Sequence, residues 1–307
     1  MELIQLFPPN RVQPLTHGNK FVQLGSCFST HISAKLRRAG FDVLDNPNGV
    51  IFHPLALAKL LQMCLEDRVS ERFVKKDDVW LDYHSSSTVY ALSENDLREK
   101  LAAAQKEFRS YLAEASHLFL TFGTANGYRL HSDGEIVANC HQQPGTIFTK
   151  ELTDLDAMIT EWKTVLNLLR EQFPQLHVAF TVSPVKYLRD GYTANSLSKA
   201  RLLELVNALN EPYFPAYELI TDHLRDHRYF EGDGAHPNAQ AVEYVWELFR
   251  AWYFEAATNA LVDEVEQLRR ESEHRLLYPE SVRAQEFQKK MHKKRESFLS
   301  LHSEVKW

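Results

Sequence analysis

The chain has no apolar run approaching the length of a membrane span, so no spanning helix is expected. It has no excess of basic charge. A formal net charge of −6 leaves no electrostatic footprint for nucleic acid and no preference for an anionic membrane surface. It has few cysteines. Cys27, Cys64 and Cys140 are odd in number and lack metal-site spacing, which fits reduced thiols in a cytoplasm rather than a disulfide framework. Internal repeats and low-complexity segments are absent. Met1 to Pro9 carry no basic n-region and too short an apolar stretch for a signal peptide. The expectation is a cytoplasmic protein without metal or other cofactor. Its 307 residues suffice for one large domain plus an appendage, or for two small domains.

What is present is an alternation of short apolar runs and helical periods. Residues 1–20 read as an irregular lead-in. Phe21, Val22 and Leu24 form a buried strand that ends at Gly25. Phe28, Ile32 and Leu36 then have helical spacing, with Gly40 as a stop. Residues 41–44 are a second strand, 117–122 a third, 178–182 a fourth and 213–219 a fifth. The fifth is interrupted by proline and so belongs at an edge. Helices are expected over 55–65, 97–111, 155–169 and 195–209, and from Pro237 through Trp252. Residues 68–94 read as an excursion with short strands. Residues 128–139 alternate around Ser132-Asp133-Gly134 as a hairpin.

This order predicts a three-layer α/β/α fold with a mostly parallel, flavodoxin-like sheet over residues 1–254. Residues 255–307 change character. Two charge-dense amphipathic helices separated by Pro279 form a C-terminal extension. Its basic run, Lys289 to Arg295, reads most simply as a solvated face. Docking on the core, or on a second copy to make a homo-oligomer, is the alternative.

In such sheets ligands bind at the carboxyl ends of the strands. Ser26 falls there, between a strand and a helix N-terminus, beside unpaired N–H groups and the positive end of a helix dipole. A helix N-cap is the commoner fate of a serine so placed. The second informative stretch is Asp233-Gly234-Ala235-His236-Pro237. His236 precedes a proline and is pushed out of helical geometry. Gly234 permits a turn that lets the Asp233 carboxylate bond one ring nitrogen of His236. The other nitrogen is then free to take a proton from Ser26, which is the nucleophile–base–orienter logic of acyl transfer. A turn cap and a structural histidine are the plainer readings of that stretch.

Taken together, Gly25-Ser26-Cys27-Phe28 resembles the signature of the GSCFA family, with Ser29 where the family usually has Ala. That family is related to the SGNH (GDSL-like) hydrolases. The similarity runs on through Asn46-Pro47-Asn48-Gly49-Val50-Ile51-Phe52-His53-Pro54, Thr121-Phe122-Gly123-Thr124-Ala125 and Asn139-Cys140-His141. It continues through Thr181-Val182-Ser183-Pro184-Val185, Asn195-Ser196-Leu197-Ser198-Lys199-Ala200 and the Asp-x-x-His stretch, covering most of residues 20–245. The resemblance implies Ser26 as nucleophile, Asp233 and His236 as its partners, and Gly49 as a backbone oxyanion donor together with the N–H of Ser26. The third SGNH block, Gly-x-Asn, is broken. Gly123-Thr124 is followed by Ala125, leaving Asn126, displaced by one, or Asn139 as the side-chain donor. Losing such a donor costs roughly 3–4 kcal/mol of transition-state stabilisation.

Other residues carry weaker signals. Cys140-His141 with His223, Asp226 and His227 match no zinc spacing. His53 and His84 are candidates for the pocket wall, with surface or structural roles weighing equally. Lys186, Arg189 and Lys199 could hold an anionic group, with solvated charge as the default. The expected activity is an SGNH-type serine hydrolase or acyltransferase acting on a small-molecule or carbohydrate ester. The alternatives are a non-catalytic module binding a glycan or small anion, and a thioesterase using Cys27, whose plainer reading is a small free thiol pointing into the core.

Overall fold

The computed structural model describes residues 13–307. The first part of the expected lead-in, residues 1–12, lies outside the described residues.

Eight strands occur among the described residues: β1 (Lys20–Gly25), β2 (Asp42–Asp45), β3 (Phe73–Lys76), β4 (Val79–Asp82), β5 (Ala115–Phe122), β6 (Asn126–Leu130), β7 (Phe148–Leu152) and β8 (His177–Val182). The principal helices are α1 (Cys27–Arg38), α2 (Pro54–Leu65), α3 (Glu94–Glu114), α4 (Leu155–Gln172), α5 (Gly191–Leu209), α6 (Ala216–Glu218, continued by a π turn), α7 (Ala239–Tyr253), α8 (Ala256–Ser272) and α9 (Val282–Leu301).

The central sheet has the order β2-β1-β5-β8, and every pairing in it is parallel. A parallel sheet needs apolar cover on both faces, and the period-2 alternation of strand side chains supplies it. Val22 and Leu24 of β1, Leu118, Leu120 and Phe122 of β5, and Val178, Phe180 and Val182 of β8 enter the core under α2–α5. Phe21, Phe119 and Ala179, from the alternate positions, enter the core under α1 and α7. The arrangement is the three-layer α/β/α fold expected, in the flavodoxin-like order.

Two expectations are corrected. The fifth strand, residues 213–219, is reduced to one parallel bridge between Phe180 and Tyr213. Pro212 and Pro215 flank that bridge and have no N–H to extend a ladder, and α6 begins at Ala216. The hairpin within 128–139 keeps its turn but not its ladder. Leu130 accepts from Gly134 N and Arg129 bridges Ile136, yet β6 pairs along its length with β7. The excursion holds a tight β3–β4 hairpin, turned by Asp77 at φ 49°.

The C-terminal segment folds back onto the core. Val262 of α8 joins the α1–α7 core cluster, and Thr258 Oγ1 donates to Leu15 O at 3.1 Å. Beyond α9, Lys306 N donates to Gly40 O at 2.8 Å and Val305 is buried against Gly40. Arg269 lies over the Trp307 ring at 4.4 Å.

The end of β1 explains its glycine. Gly25 has φ +128°, and a Cβ there would lie 2.1 Å from Thr121 O of β5. Backbone atoms cannot yield to that contact. Gly25→Ala should therefore destabilise the protein by on the order of 3 kcal/mol, combining backbone strain with the clash. Urea unfolding checks this, and a wild-type midpoint would contradict it.

Candidate functional site

The β1–α1 turn places two adjacent side chains in different surroundings. Ser26 is the N-cap of α1. Its Oγ accepts from Phe28 N at 3.3 Å, its N–H donates to Thr121 O at 3.1 Å, and it is 1% exposed. Cys27 is the first residue of the helix and is half-buried. Burial pushes its thiol up; opposing this are its own N–H, the Lys199 ammonium and the Phe28 N–H.

The loop after β2 comes back under this turn. Asn46, in the left-handed region at φ 44°, accepts from Gly25 N through Oδ1 at 2.8 Å and donates through Nδ2 to Ser29 Oγ at 3.1 Å. Gly49 closes the loop at φ +74°. Its N–H donates to Asn46 O at 2.7 Å. The two backbone donors expected for an oxyanion, Ser26 N–H and Gly49 N–H, are thus both bonded to carbonyls. Gly123 N–H is bonded as well, to Phe52 O at 2.8 Å. Each of these amides closes a strand end or a turn.

The two asparagines differ. Asn139 Oδ1 accepts from His141 N at 2.8 Å and shapes a local turn. Asn126 opens β6, and its Nδ2 is buried with no hydrogen-bond partner among the described residues. Asn126 is therefore the better candidate for the side-chain donor.

His53 is the N-cap of α2. Its Nδ1 accepts from Leu55 N at 3.1 Å, which leaves the proton on Nε2, 3.0 Å from Thr153 Oγ1. Both nitrogens are occupied, and burial lowers its pKa to about 4. His84 is buried between Ser70 Oγ (2.8 Å) and Glu135 Oε2 (3.1 Å).

Asp233 and His236 meet as the sequence suggested. Asp233 Oδ2 and His236 Nδ1 are 2.6 Å apart, while Oδ1 accepts from Ala235 N (2.8 Å) and His236 N (3.0 Å). Those backbone donors, with the imidazole, hold the carboxyl down at about 2. The pair is half-exposed, and no hydrogen bond joins His236 to Ser26 or Cys27 among the described residues. The loop is tied to the end of β8 instead. Lys186 N donates to Ala235 O at 3.0 Å and Lys186 Nζ to Gly234 O at 3.3 Å. A cavity of about 190 Å³ opens alongside, walled in part by Lys186, Arg225, His227 and Phe230.

Lys199 departs furthest from its default. Far from solvated, it is 1% exposed. Its Nζ donates to Gly123 O at 2.6 Å and to Ser183 O at 2.7 Å, the residues that follow β5 and β8. Burial lowers its pKa to about 7, against the opposing charge of Cys27. Two neighbours on α5 act similarly. Asn195 Oδ1 accepts from Tyr187 N at 2.9 Å and Ser198 Oγ accepts from Ala125 N at 2.8 Å. A sequence signal for this buried row existed. Asn195, Ser198 and Lys199 sit at i, i+3 and i+4, in line with the apolar stripe of Leu202, Leu205 and Val206.

Two measurements follow. Ser26→Ala removes the α1 cap and should cost about 1 kcal/mol in urea unfolding; no change would remove the capping role. His53 is depressed below its ordinary 6.5, so its stabilisation is whole above pH 6.5 and is lost as pH falls through about 4. His53→Asn, which can still cap α2, should flatten the loss of stability between pH 7 and 4.5. An unchanged slope would contradict the assignment.

Distant likenesses exist among solved structures. A family two carbohydrate esterase from Clostridium thermocellum, in complex with cellohexaose, matches with 12% identity and a TM-score of 0.38, over 81% of this chain and 65% of that one. This chain thus spans less than two-thirds of that protein's length. An acetyl xylan esterase (Est2A) from the rumen bacterium Butyrivibrio proteoclasticus matches with 15% identity and a TM-score of 0.32, over 83% and 65%. A carbohydrate esterase family 3 protein from Talaromyces cellulolyticus matches with 11% identity and a TM-score of 0.30, over 81% and 99%. No curated protein matches the sequence. The pattern of the GSCFA family matches residues 20–249, most of the chain and every stretch of the site described above, and the chain belongs to the GSCFA family.

Proposed function

We propose that the protein is a hydrolase or acyltransferase acting on acyl esters, with O-acylated carbohydrate as the substrate class to test first. The observation that carries this reading is the Asp233–His236 pair, 2.6 Å between Oδ2 and Nδ1, on a loop bound to the carboxyl end of the sheet. Asp233 fixes the tautomer and leaves His236 Nε2 to move protons. The acyl group passes to a side chain of the Ser26-Cys27 turn; in the serine form of the reading Ser26, His236 and Asp233 are the triad. Asn126 is the side-chain donor to the oxyanion, since its Nδ2 is uncommitted among the described residues. His236 then protonates the departing alcohol and activates the water or acceptor that takes the acyl group.

A second reading, a non-catalytic module holding a glycan or small anion in the same cleft, is favoured by one observation. The N–H groups of Ser26, Gly49 and Gly123 are all spent on carbonyls, which leaves few donors for an oxyanion.

Hydrolysis of p-nitrophenyl acetate and of acetylated oligosaccharides separates the two readings. The enzyme reading expects turnover that falls by about 10²–10⁴-fold in His236→Ala. Equal rates in wild type and His236→Ala would sink it. Saturable binding of an oligosaccharide recovered chemically unchanged would establish the second reading.

A further inference from the structure

We propose that the cavity at the base of the Asp233–His236 loop is an anion subsite, and that the ligand handled beside His236 is a small molecule bearing a carboxylate or phosphate group. The proposal rests on the acyl-transfer reading for the role of His236 and names the class of ligand within it.

The first observation is the make-up of the cavity. Its volume is about 190 Å³, against the roughly 10–15 Å³ that one water needs. Its wall includes Ile220 from the π turn after α6, then Arg225, Asp226, His227 and Phe230, and Lys186 from the loop after β8. Lys186 and Arg225 are full cations. Asp226 is the carboxylate in that wall, and it is already engaged. Its Oδ1 accepts from Arg228 N at 2.9 Å, and its Oδ2 lies 3.2 Å from Arg228 Nε. Among the described residues no carboxylate pairs with Lys186 or Arg225, and no hydrogen bond engages the Arg225 guanidinium. The charge left unbalanced in the wall is positive.

Lys186 is held in place rather than free in solvent. Its Nζ stands 3.5 Å from the centre of the Phe230 ring and donates to Gly234 O at 3.3 Å. A ring face attracts a cation but brings no net negative charge to pair with it. An ammonium has three donors, so two remain. Burial lowers the Lys186 ammonium from its ordinary value, and no neighbouring acid opposes that. Arg225 adds a planar fork that matches a carboxylate or a phosphate. Ile220 and Phe230 give the cavity an apolar side, which suits an organic anion. Of the three cations the sequence offered for an anionic group, Lys199 is bonded to two carbonyls and Arg189 is exposed, which leaves Lys186.

The second observation does not depend on charge. Backbone pairing makes the cavity wall and the His236 loop one piece. Phe230 and Pro237 form an antiparallel bridge, Glu231 N donates to His236 O at 2.7 Å, and Asn238 N donates to Tyr229 O at 2.9 Å. Phe230 is therefore paired with the residue that follows His236. Lys186 ties the same loop to the end of β8, through its N–H to Ala235 O at 3.0 Å and its Nζ to Gly234 O. A ligand whose anionic group is held by Lys186 and Arg225 lies against the loop that carries His236.

The test is calorimetric titration of the full chain with inorganic phosphate and, separately, with succinate, in a phosphate-free buffer of low ionic strength. Saturable binding is expected. Tighter phosphate assigns a phosphorylated ligand, and tighter succinate a carboxylated one. Arg225 closes the π turn in the left-handed region at φ 45°, which asparagine also adopts readily. Arg225→Asn therefore keeps the backbone and removes the fork. It should weaken binding by about tenfold or more, the effect of one charge-assisted hydrogen bond. Lys186→Gln should do the same. Binding of neither anion, or wild-type affinity in both variants, would overturn the proposal. A measurement on the wild type alone covers variants that fail to fold. Bound anion should slow phenylglyoxal modification of Arg225 and not of Arg283 on α9, read by peptide mass spectrometry; equal rates at Arg225 with and without anion would also overturn it. Hydrolysis of p-nitrophenyl acetate by the same samples reads the acyl-transfer reading separately. Its absence removes that reading while the titration still decides the subsite, and turnover without anion binding removes the subsite alone.

Discussion

The close approach of β1 to β5 at Gly25 governs the geometry of everything around the site. Because residue 25 has no side chain, the Thr121 carbonyl sits where a Cβ would be, and Ser26 N–H donates to that same carbonyl. The chain must then turn at once into α1, with Ser26 as its cap and Cys27 as its first residue. Asn46 locks the turn from beneath by accepting Gly25 N–H and reaching Ser29. The signature residues of the first two stretches are thus one structural unit. Substitution in any of them moves the others.

A second unit lies across the sheet. Asn195, Ser198 and Lys199 project from the inner face of α5 and satisfy backbone groups in the loops after β5 and β8. Apolar residues there would pack more cheaply but leave Gly123 O, Ser183 O, Ala125 N and Tyr187 N without partners. Buried backbone groups rarely tolerate that. Through Ser183 and Lys186 the same row reaches the loop that carries Asp233 and His236, so one helix face links both halves of the candidate site.

The chain end contributes to the same body. The last residues close over Gly40, the turn between α1 and β2, and Arg38 binds Glu273 through two hydrogen bonds of 2.9 and 2.6 Å. α8 and the residues after α9 therefore brace the layer that carries Ser26 and Cys27. α9 itself buries little beyond Ala284 and Met291.

Sequence by itself determined the layers. Strands buried on both faces, helices with apolar stripes and the turn residues between them fixed a parallel sheet, because burial periodicity is a local property of the chain. It also determined the Asp233–His236 contact, since three residues with a glycine between them leave the carboxylate one place to go. It could not decide between a strand and a single bridge at Tyr213, where prolines and a competing helix meet. Nor could it show that the Ser26 amide would be bonded, because that depends on the Thr121 carbonyl of β5, far away along the chain. The burial of Lys199 was equally out of reach, because a lysine's environment is set by what packs around it. Only the tertiary structure brings the Gly123 and Ser183 carbonyls to one lysine Nζ.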